Sequence, residues 1–429
     1  MKILVLGSGA REHAIILSLV GEDVTHDIVA APGNAGIAGT VPTVELDPND
    51  PTAVTNYAIA EAVELVVIGP EAPLVAGVAD ELREQGIPVF GPGKAAAQLE
   101  GSKTFAKRIM NVANVPTGRA SRAATLAEAE AALDAFGAPY VVKADGLAAG
   151  KGVLVTTDRD AALDHARTYL EQGSVLVEEF LDGQEVSLFF VSDGHTVVPL
   201  SPAQDFKRLS DGDEGPNTGG MGAYSPLPWL DEAFGSEEAF VSEVLETIAQ
   251  PVVKQLAEEQ TPFIGLLYAG LILTSKRDSD TDRGIRVIEF NARFGDPETQ
   301  VVLPRLESPL SDLLYAAATG TLSTLDRPTF AVASAVTVVL ASENYPAAPV
   351  TGLPISGLSQ ADAIAGVHIA HAATAKRGDE LVSTGGRVLS VVALGDGFAE
   401  ARARAYEALG HVSLEGAQYR TDIAARVAD

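Results

Sequence analysis

The residues best suited to chemistry lie in one run, Val287-Ile288-Glu289-Phe290-Asn291-Ala292-Arg293-Phe294-Gly295-Asp296-Pro297-Glu298. Side chains two apart share one face of a strand, so Glu289, Asn291 and Arg293 are expected to point together, with Ile288, Phe290 and Ala292 on the other side. A carboxylate and a carboxamide at that spacing offer hard oxygen ligands that suit Mg²⁺, and the neighbouring guanidinium suits a phosphate or carboxylate. A solvated polar face would also alternate, but it gives no reason for the Gly295-Asp296-Pro297-Glu298 turn. The functional reading is preferred.

Three other runs carry glycine and charge together. Lys143-Ala144-Asp145-Gly146-Leu147-Ala148-Ala149-Gly150-Lys151-Gly152-Val153 sets a lysine at the end of an apolar strand, then a glycine loop, then another strand. It is not a Walker A loop: three residues rather than four separate Gly146 from Gly150, Gly152 stands in place of Ser/Thr, and no helix follows. Such a loop can fold over a polyphosphate with its N–H groups as donors and Lys143 beneath, or it can be a plain hairpin turn. Asp205 to Pro226 reads as a long polar loop, too rich in Gly, Asp and Asn for a core and suited to closing over a substrate. Phe206, Met221 and Tyr224 argue against a merely solvated excursion. Gly7-Ser8-Gly9-Ala10-Arg11-Glu12 follows a strand and opens a helix, as a dinucleotide fingerprint does, but Glu12 occupies the third glycine position and the second strand ends without the acidic ribose ligand. NAD is disfavoured. The turn can still hold an anion on free N–H groups, supplemented by Arg11.

Val175 to Leu181, VLVEEFL, admits two readings: a strand with a solvated acidic edge, or an interdomain linker whose backbone pairs with an adenine edge. His368 and His371 lie on a strand-like segment and read as structural. No Gly-x-Ser-x-Gly elbow supports a serine hydrolase.

The elements that must position these residues follow from the pattern of apolar runs. KILVLG, HDIVAAPG, ELVVIGP and IPVFGPG alternate with helical segments over the first hundred residues, which predicts a doubly wound parallel sheet. Ligands bind such sheets at the carboxyl ends of the strands, where Pro32-Gly33, Gly69-Pro70 and Gly91-Pro92-Gly93 lie. The chain divides on this reading into residues 1–102, 103–327 with a lid at about 120–190, and a small α/β unit at 328–429.

A net charge of −28 opposes nucleic acid and anionic membrane surfaces. The absence of cysteine excludes disulfides, thiolate metal sites and cysteine nucleophiles. No run of about 18 uncharged apolar residues is present, and a cytoplasmic protein is expected. Only ten lysines occur, yet Lys94, Lys103, Lys143, Lys151 and Lys207 all sit in motif-like stretches.

Taken in order, GSGAREHA, APGNAG, VIGPEAPLVAGVAD, GPGKAAAQLEGSK, KADGLAAGKGV, EEFLDGQEVS, QDFKRL, GPNTGGMGAYSP, YAGLIL, VIEFNARFGDPETQ and GGRVLSV resemble the motif series of the phosphoribosylamine–glycine ligases, an ATP-grasp family. The resemblance covers nearly the whole chain, and GPNTGGMGAY with EFNARFGDPE is its most specific pair. It implies an N-terminal Rossmann-like domain, an ATP-grasp core with a lid, and a small C-terminal α/β domain. It also implies joining of glycine to 5-phosphoribosylamine with ATP and Mg²⁺ or Mn²⁺, in purine biosynthesis.

Carried over by position, Glu178, Glu179, Phe180 and Leu181 would hold adenine and Glu185 the ribose. Lys103, Lys143, Arg208 and Asn217 would line the phosphate end, together with Gly150, Lys151 and Gly152 of the glycine loop, and Glu289 and Asn291 would bind metal. The phosphoribosylamine phosphate is expected near Gly9, Arg11 and Asn34, and glycine near Asp205, Arg293 and Asp296, which make the reacting centre. Gln184 stands where family members often have Glu. A monomer is expected, with a dimer as the alternative.

Overall fold

A computed structural model describes residues 1–146, 152–275 and 283–428. Lys2–Gly7 (β1), Asp27–Pro32 (β2), Leu65–Ile68 (β3) and Val89–Phe90 (β4) form a parallel sheet in the order β2-β1-β3-β4. Nearly every residue of β1 and β3 is buried, as continuous apolar runs covered on both faces require. The doubly wound parallel sheet is therefore as expected. Strand order reverses between β1 and β3, so their carboxyl ends, at Gly7 and Gly69, open the crevice where such sheets take ligands.

Ala120–Ala123 (β5), Tyr140–Ala144 (β6), Val153–Thr156 (β7) and Val175–Glu178 (β8) make a small antiparallel sheet in the order β5-β8-β6-β7. Helices Leu126–Phe136 and Arg159–Leu170 pack on it around a core of its own that includes Leu133, Val142, Ala162 and Val177. The first helix starts where Thr125 and Glu128 form a reciprocal capping box. This sheet ends at Glu178, not near residue 190 as expected for the lid: Glu179 to Asp182 have no regular secondary structure, and the following strand belongs to another sheet.

That strand, Gly183–Asp193 (β9), turns back into Val197–Pro199 (β10). Next come Gln204–Asp205 (β11), Arg208–Ser210 (β12), Glu214–Asn217 (β13) and Gly222–Ser225 (β14), then Ile264–Thr274 (β15) and Ile285–Asn291 (β16). The central antiparallel sheet runs β10-β9-β15-β16. A bulge lies between Gly270 and Leu271 of β15 opposite β16, where Gly270 pairs with Glu289 and Leu271 with Val287.

The expectation of an irregular loop from residue 205 to 226 is corrected by β11 to β14. β12 and β13 form a separate hairpin. β11 and β14 join Ser334–Ala341 (β17), Val367–His371 (β18) and Arg387–Gly395 (β21) in the order β11-β14-β17-β21-β18, with Thr374–Arg377 (β19) and Glu380–Ser383 (β20) as a further hairpin. Met221, Ala223 and Tyr224 are buried, because β14 lies beside the wholly buried β17. Glycine content misled the reading. Gly222 is needed there, since a Cβ would lie 2.7 Å from the Thr337 carbonyl.

The C-terminal segment is bound to the first helix, Ala10–Val20, through histidine. The His371 N–H donates to Nδ1 of His13 at 2.8 Å, and the two rings stand 5.6 Å apart, edge to face. The structural reading of His368 and His371 fits this packing. Burial pushes His13 down to about 3, with His371 and His368 adding to it, and pushes His368 and His371 each down to about 4. Below pH 6.5 the unfolded chain takes protons on these rings that the native chain does not, so their contribution to stability is full above pH 6.5 and lost as pH falls toward 4. Raised carboxyl groups at Glu12 and Glu100 work in the opposite sense. The urea midpoint is expected to fall between pH 7.5 and 5, with a shallower fall in His371→Gln. A midpoint that stays level or rises would contradict this.

No helix among the described residues is long and apolar enough to cross a membrane.

Candidate active site

A cavity of about 430 Å³ lies where the N-terminal segment, the small sheet, the central sheet and the C-terminal segment meet. One end is cationic. Lys143, at the end of β6, is buried, with Nζ 2.9 Å from Oε2 of Glu178 and donating to the Ile288 carbonyl at 3.3 Å. Lys107 lies 3.4 Å from the same carboxylate oxygen. Burial pushes the Glu178 carboxyl up, but Lys143 and Lys107 outweigh it and hold it below the usual range. Lys103 donates to the Gly146 carbonyl at 3.2 Å, and burial lowers its ammonium although Glu289 opposes the shift.

Glu289 and Asn291 both line the cavity from β16, and among the described residues neither side chain has a hydrogen-bond or ion-pair partner. A carboxylate left unpaired beside ammonium groups suits a cation that arrives with its own anion. Among the described residues no cluster of three or more His, Asp or Glu side chains could hold a metal ion. Glu289 and Asn291 could hold Mg²⁺, which commonly takes one or two protein oxygens with phosphate completing its shell.

The other end is built from interlocked charges. Nη2 of Arg293 is 2.9 Å from Glu100 and Nε is 3.6 Å from Glu71. Burial lowers the guanidinium, but these two acids overcome it and raise it above its ordinary value. Asp296 is held by Arg387 at 3.0 Å and by the Gln300 amide at 2.8 Å. Burial opposes the charge on Asp296, and Arg387 keeps the carboxyl below its ordinary range. Asp205 lies 3.4 Å from Lys207, which also pairs with Glu185. Burial pushes Asp205 up to about 7 even against Lys207, with Glu298 and Glu185 adding to the rise. Behind them Ser187, Tyr268 and Glu298 share hydrogen bonds of 2.8 to 3.2 Å.

Several expected site residues fall elsewhere. The switch-point turn is filled by the protein itself: Glu12 accepts the Gly9 N–H at 2.6 Å, and a Cβ on Gly69 would lie 2.2 Å from Glu12 Oε1. Gly9 thus has no free N–H for an anion. Asn34 is also taken up, donating to the Ser8 and His371 carbonyls, each at 2.8 Å, and accepting from the Gly36 and Ile37 N–H groups. Of that trio only Arg11 lines the cavity; it is buried, and its Nε has no partner.

Glu178 lines the cavity through its ion pairs. Glu179 instead accepts from Arg119, Phe180 is largely exposed, and Glu179 to Asp182 form the link between the small and central sheets. Arg208 and Asn217 face one another on the β12–β13 hairpin and do not line the cavity, and neither does Glu185. Gly152 does; Gly150 and Lys151 lie outside the described residues.

Lys107, Glu71, Glu100, Tyr345 and Arg387 were missed as cavity residues. Arg387 stands in the GGRVLSV motif, and Glu71 and Glu100 in two others, but nothing local marks their pairing with Asp296 and Arg293, which are distant in the chain.

The parallel N-terminal sheet, the small sheet hinged by a linker onto a central antiparallel sheet, and a cavity with lysines at one end and oxygen ligands from β16 define an ATP-grasp enzyme. The profile of the phosphoribosylglycinamide synthetase N domain matches residues 1–100, that of its ATP-grasp (A) domain residues 101–299, and that of its C domain residues 335–426. The chain belongs to the phosphoribosylglycinamide synthetase family. It is 71% identical over 432 residues to the phosphoribosylamine–glycine ligase of Leifsonia xyli, covering 99% of this chain and 100% of that one. It is 58% identical to the Streptomyces coelicolor enzyme of the same name, covering 100% of each. The crystal structure of phosphoribosylamine–glycine ligase from Thermotoga maritima superposes with a TM-score of 0.81 at 32% identity, covering 98% of this chain and 100% of that one. The biotin carboxylase domain of the Hydrogenobacter thermophilus 2-oxoglutarate carboxylase shares the fold, with a TM-score of 0.67 at 18% identity and coverage of 97% of this chain and 91% of that one.

Proposed function

We propose that this chain joins glycine to 5-phosphoribosylamine, consuming ATP and forming glycinamide ribonucleotide, ADP and phosphate in purine biosynthesis. The full-length 71% identity to a phosphoribosylamine–glycine ligase supports the substrates. The observation that carries the reaction type is a lysine cluster around the buried Lys143 in the same cavity as Glu289 and Asn291, two oxygen ligands without a partner among the described residues.

In the first step a glycine carboxylate oxygen attacks the γ-phosphorus of ATP, ADP leaves, and glycyl phosphate forms. In the second the amine attacks the acyl carbon, phosphate leaves with that carboxylate oxygen, and the amine loses a proton as the amide forms. No enzyme nucleophile is required. The protein orients the reactants, balances charge and excludes water.

Lys143, Lys103 and the Gly152 end of the glycine loop are assigned to the polyphosphate. The linker from Glu179 to Leu181 is assigned to adenine, its place directly after the cavity-lining Glu178 and between the small and central sheets being the support. Mg²⁺ or Mn²⁺ fits Glu289 and Asn291, and when bound it neutralises charge on the transferring phosphoryl group. Arg293 is assigned to the glycine carboxylate and Arg11 to the phosphoribosylamine phosphate. Asp205, raised to about 7, is suited to accept the amine proton near neutral pH.

The test is isotopic. Glycine labelled with ¹⁸O in its carboxylate should transfer one ¹⁸O to inorganic phosphate per turnover. Unlabelled phosphate formed alongside amide would overturn the acyl phosphate route.

A further inference from the structure

The β12–β13 hairpin rises from the cavity wall. Its base is formed by Lys207 and Thr218, which both line the cavity, and the Thr218 N–H and hydroxyl donate to the Lys207 carbonyl at 2.7 and 2.8 Å. The hairpin itself joins no other sheet, and its residues are mostly exposed. A two-stranded ribbon of this size is marginal in water by itself, so something must hold it.

The holding group comes from the far end of the chain. Arg420 is 1% exposed. Its Nη1 donates to Asp213 at 2.7 Å and to the Arg208 carbonyl at 3.3 Å, while Nε and Nη2 grip Asp422 in a two-point pair at 2.7 and 2.6 Å. The neighbouring residues reach the same turn: Thr421 N–H donates to Asp211 at 2.7 Å, and Asp422 accepts the Gly212 N–H at 2.8 Å. The strap is itself anchored to helix Phe398–His411, because Arg402 donates to the Thr421 and Ile423 carbonyls and Tyr406 to the Arg420 carbonyl.

Arg420 also backs the cavity wall. Its guanidinium lies 4.8 Å over the Phe206 ring. Asp205 and Lys207 line the cavity and Phe206 does not, so Arg420 presses on the outer side of the residue that lies between two inward-facing charges. A planar five-donor fork can hold Asp422, Asp213 and an aromatic face together, which an ammonium cannot.

We infer that Arg420, with Asp213 and Asp422, is a positioning residue for the ligation: it fixes the Asp205–Arg208 segment and the hairpin above it, and so keeps the cavity closed while the acyl phosphate waits for the amine. This rests on the proposed reaction, and the role is carried through other residues, because Arg420 does not itself line the cavity.

The test compares Arg420→Lys, Arg420→Met and the milder Asp213→Asn with the parent protein, at a temperature where circular dichroism shows each one folded. ADP and amide are measured in the same reaction. Arg420→Met is expected to lose on the order of 10- to 100-fold in kcat/KM, as displacement of reacting groups does. It should also form ADP in excess of amide, with Arg420→Lys and Asp213→Asn between it and the parent. A merely structural role lowers the active fraction and leaves the ratio of ADP to amide at one. Variants with that ratio unchanged and KM for ATP and glycine unaltered would overturn the inference. A parent protein that forms no amide would instead overturn the proposed reaction.

Discussion

Glu289→Ala is expected to lower ATP-, glycine- and phosphoribosylamine-dependent ADP release by roughly 10²- to 10³-fold, the usual loss when a preorganised group facing the developing charge is removed. The unfolding transition should hardly move. Glu289 has no hydrogen-bond or ion-pair partner among the described residues, so its removal leaves no buried group unsatisfied. Lys103 and, less strongly, Lys207 lose a stabilising neighbour. Steady-state kinetics over a Mg²⁺ titration, with a thermal melt of the same samples, checks both halves. Partial recovery at high Mg²⁺ fits a weakened metal site. Full activity at ordinary Mg²⁺ would remove Glu289 from the metal's ligands, and a large fall in the melting temperature would show that its role is structural.

Arg293→Met should be damaging in both respects. It strips the counter-charge from Glu100 and Glu71, and breaking a buried pair by removing one partner costs about 3–5 kcal/mol. Burial already raises the Glu100 carboxyl with Arg293 present, and its loss raises it further. The variant therefore escapes part of the cost at low pH by protonating Glu100, and the deficit against the parent grows as pH rises. Denaturant unfolding at pH 6 and pH 8.5 reads this directly. Adding Glu100→Gln removes the stranded charge while its amide oxygen can still accept the Ala292 N–H, which Glu100 accepts at 2.7 Å. The double variant should recover most of the stability and none of the activity, with KM for glycine raised and kcat lowered. Recovery of both would make Arg293 a structural residue.

Much of this was legible from local pattern. The β1 and β3 runs are buried, as a doubly wound sheet requires, and Glu289 and Asn291 both reach the cavity from β16; strict alternation failed, because Ile288 and Phe290, expected on the opposite face, line it too beside the bulge, and Arg293 lies beyond the end of the strand. Glu12 in the third glycine position marked the turn as no dinucleotide site, and its carboxylate now fills that crevice. What failed was what depends on distant partners. Gly222 to Ser225 looked like loop because glycine and serine carry no strand signal, yet pairing with β17 buries them. Asn34 looked available for phosphate until its amide met the His371 carbonyl, 337 residues away. Arg387 reaches partners 91 to 168 residues away and Arg420 reaches the hairpin 207 and 212 residues away, and a single guanidinium has no periodicity to reveal such contacts.

The most direct measurement is coupled ADP release with ATP, glycine and freshly prepared phosphoribosylamine, omitting each in turn and weighing ADP against amide formed. A ligase working through glycyl phosphate predicts dependence on all three and one ADP per amide. Steady ADP release without glycine, or turnover with another acid in its place and none with glycine, would contradict it.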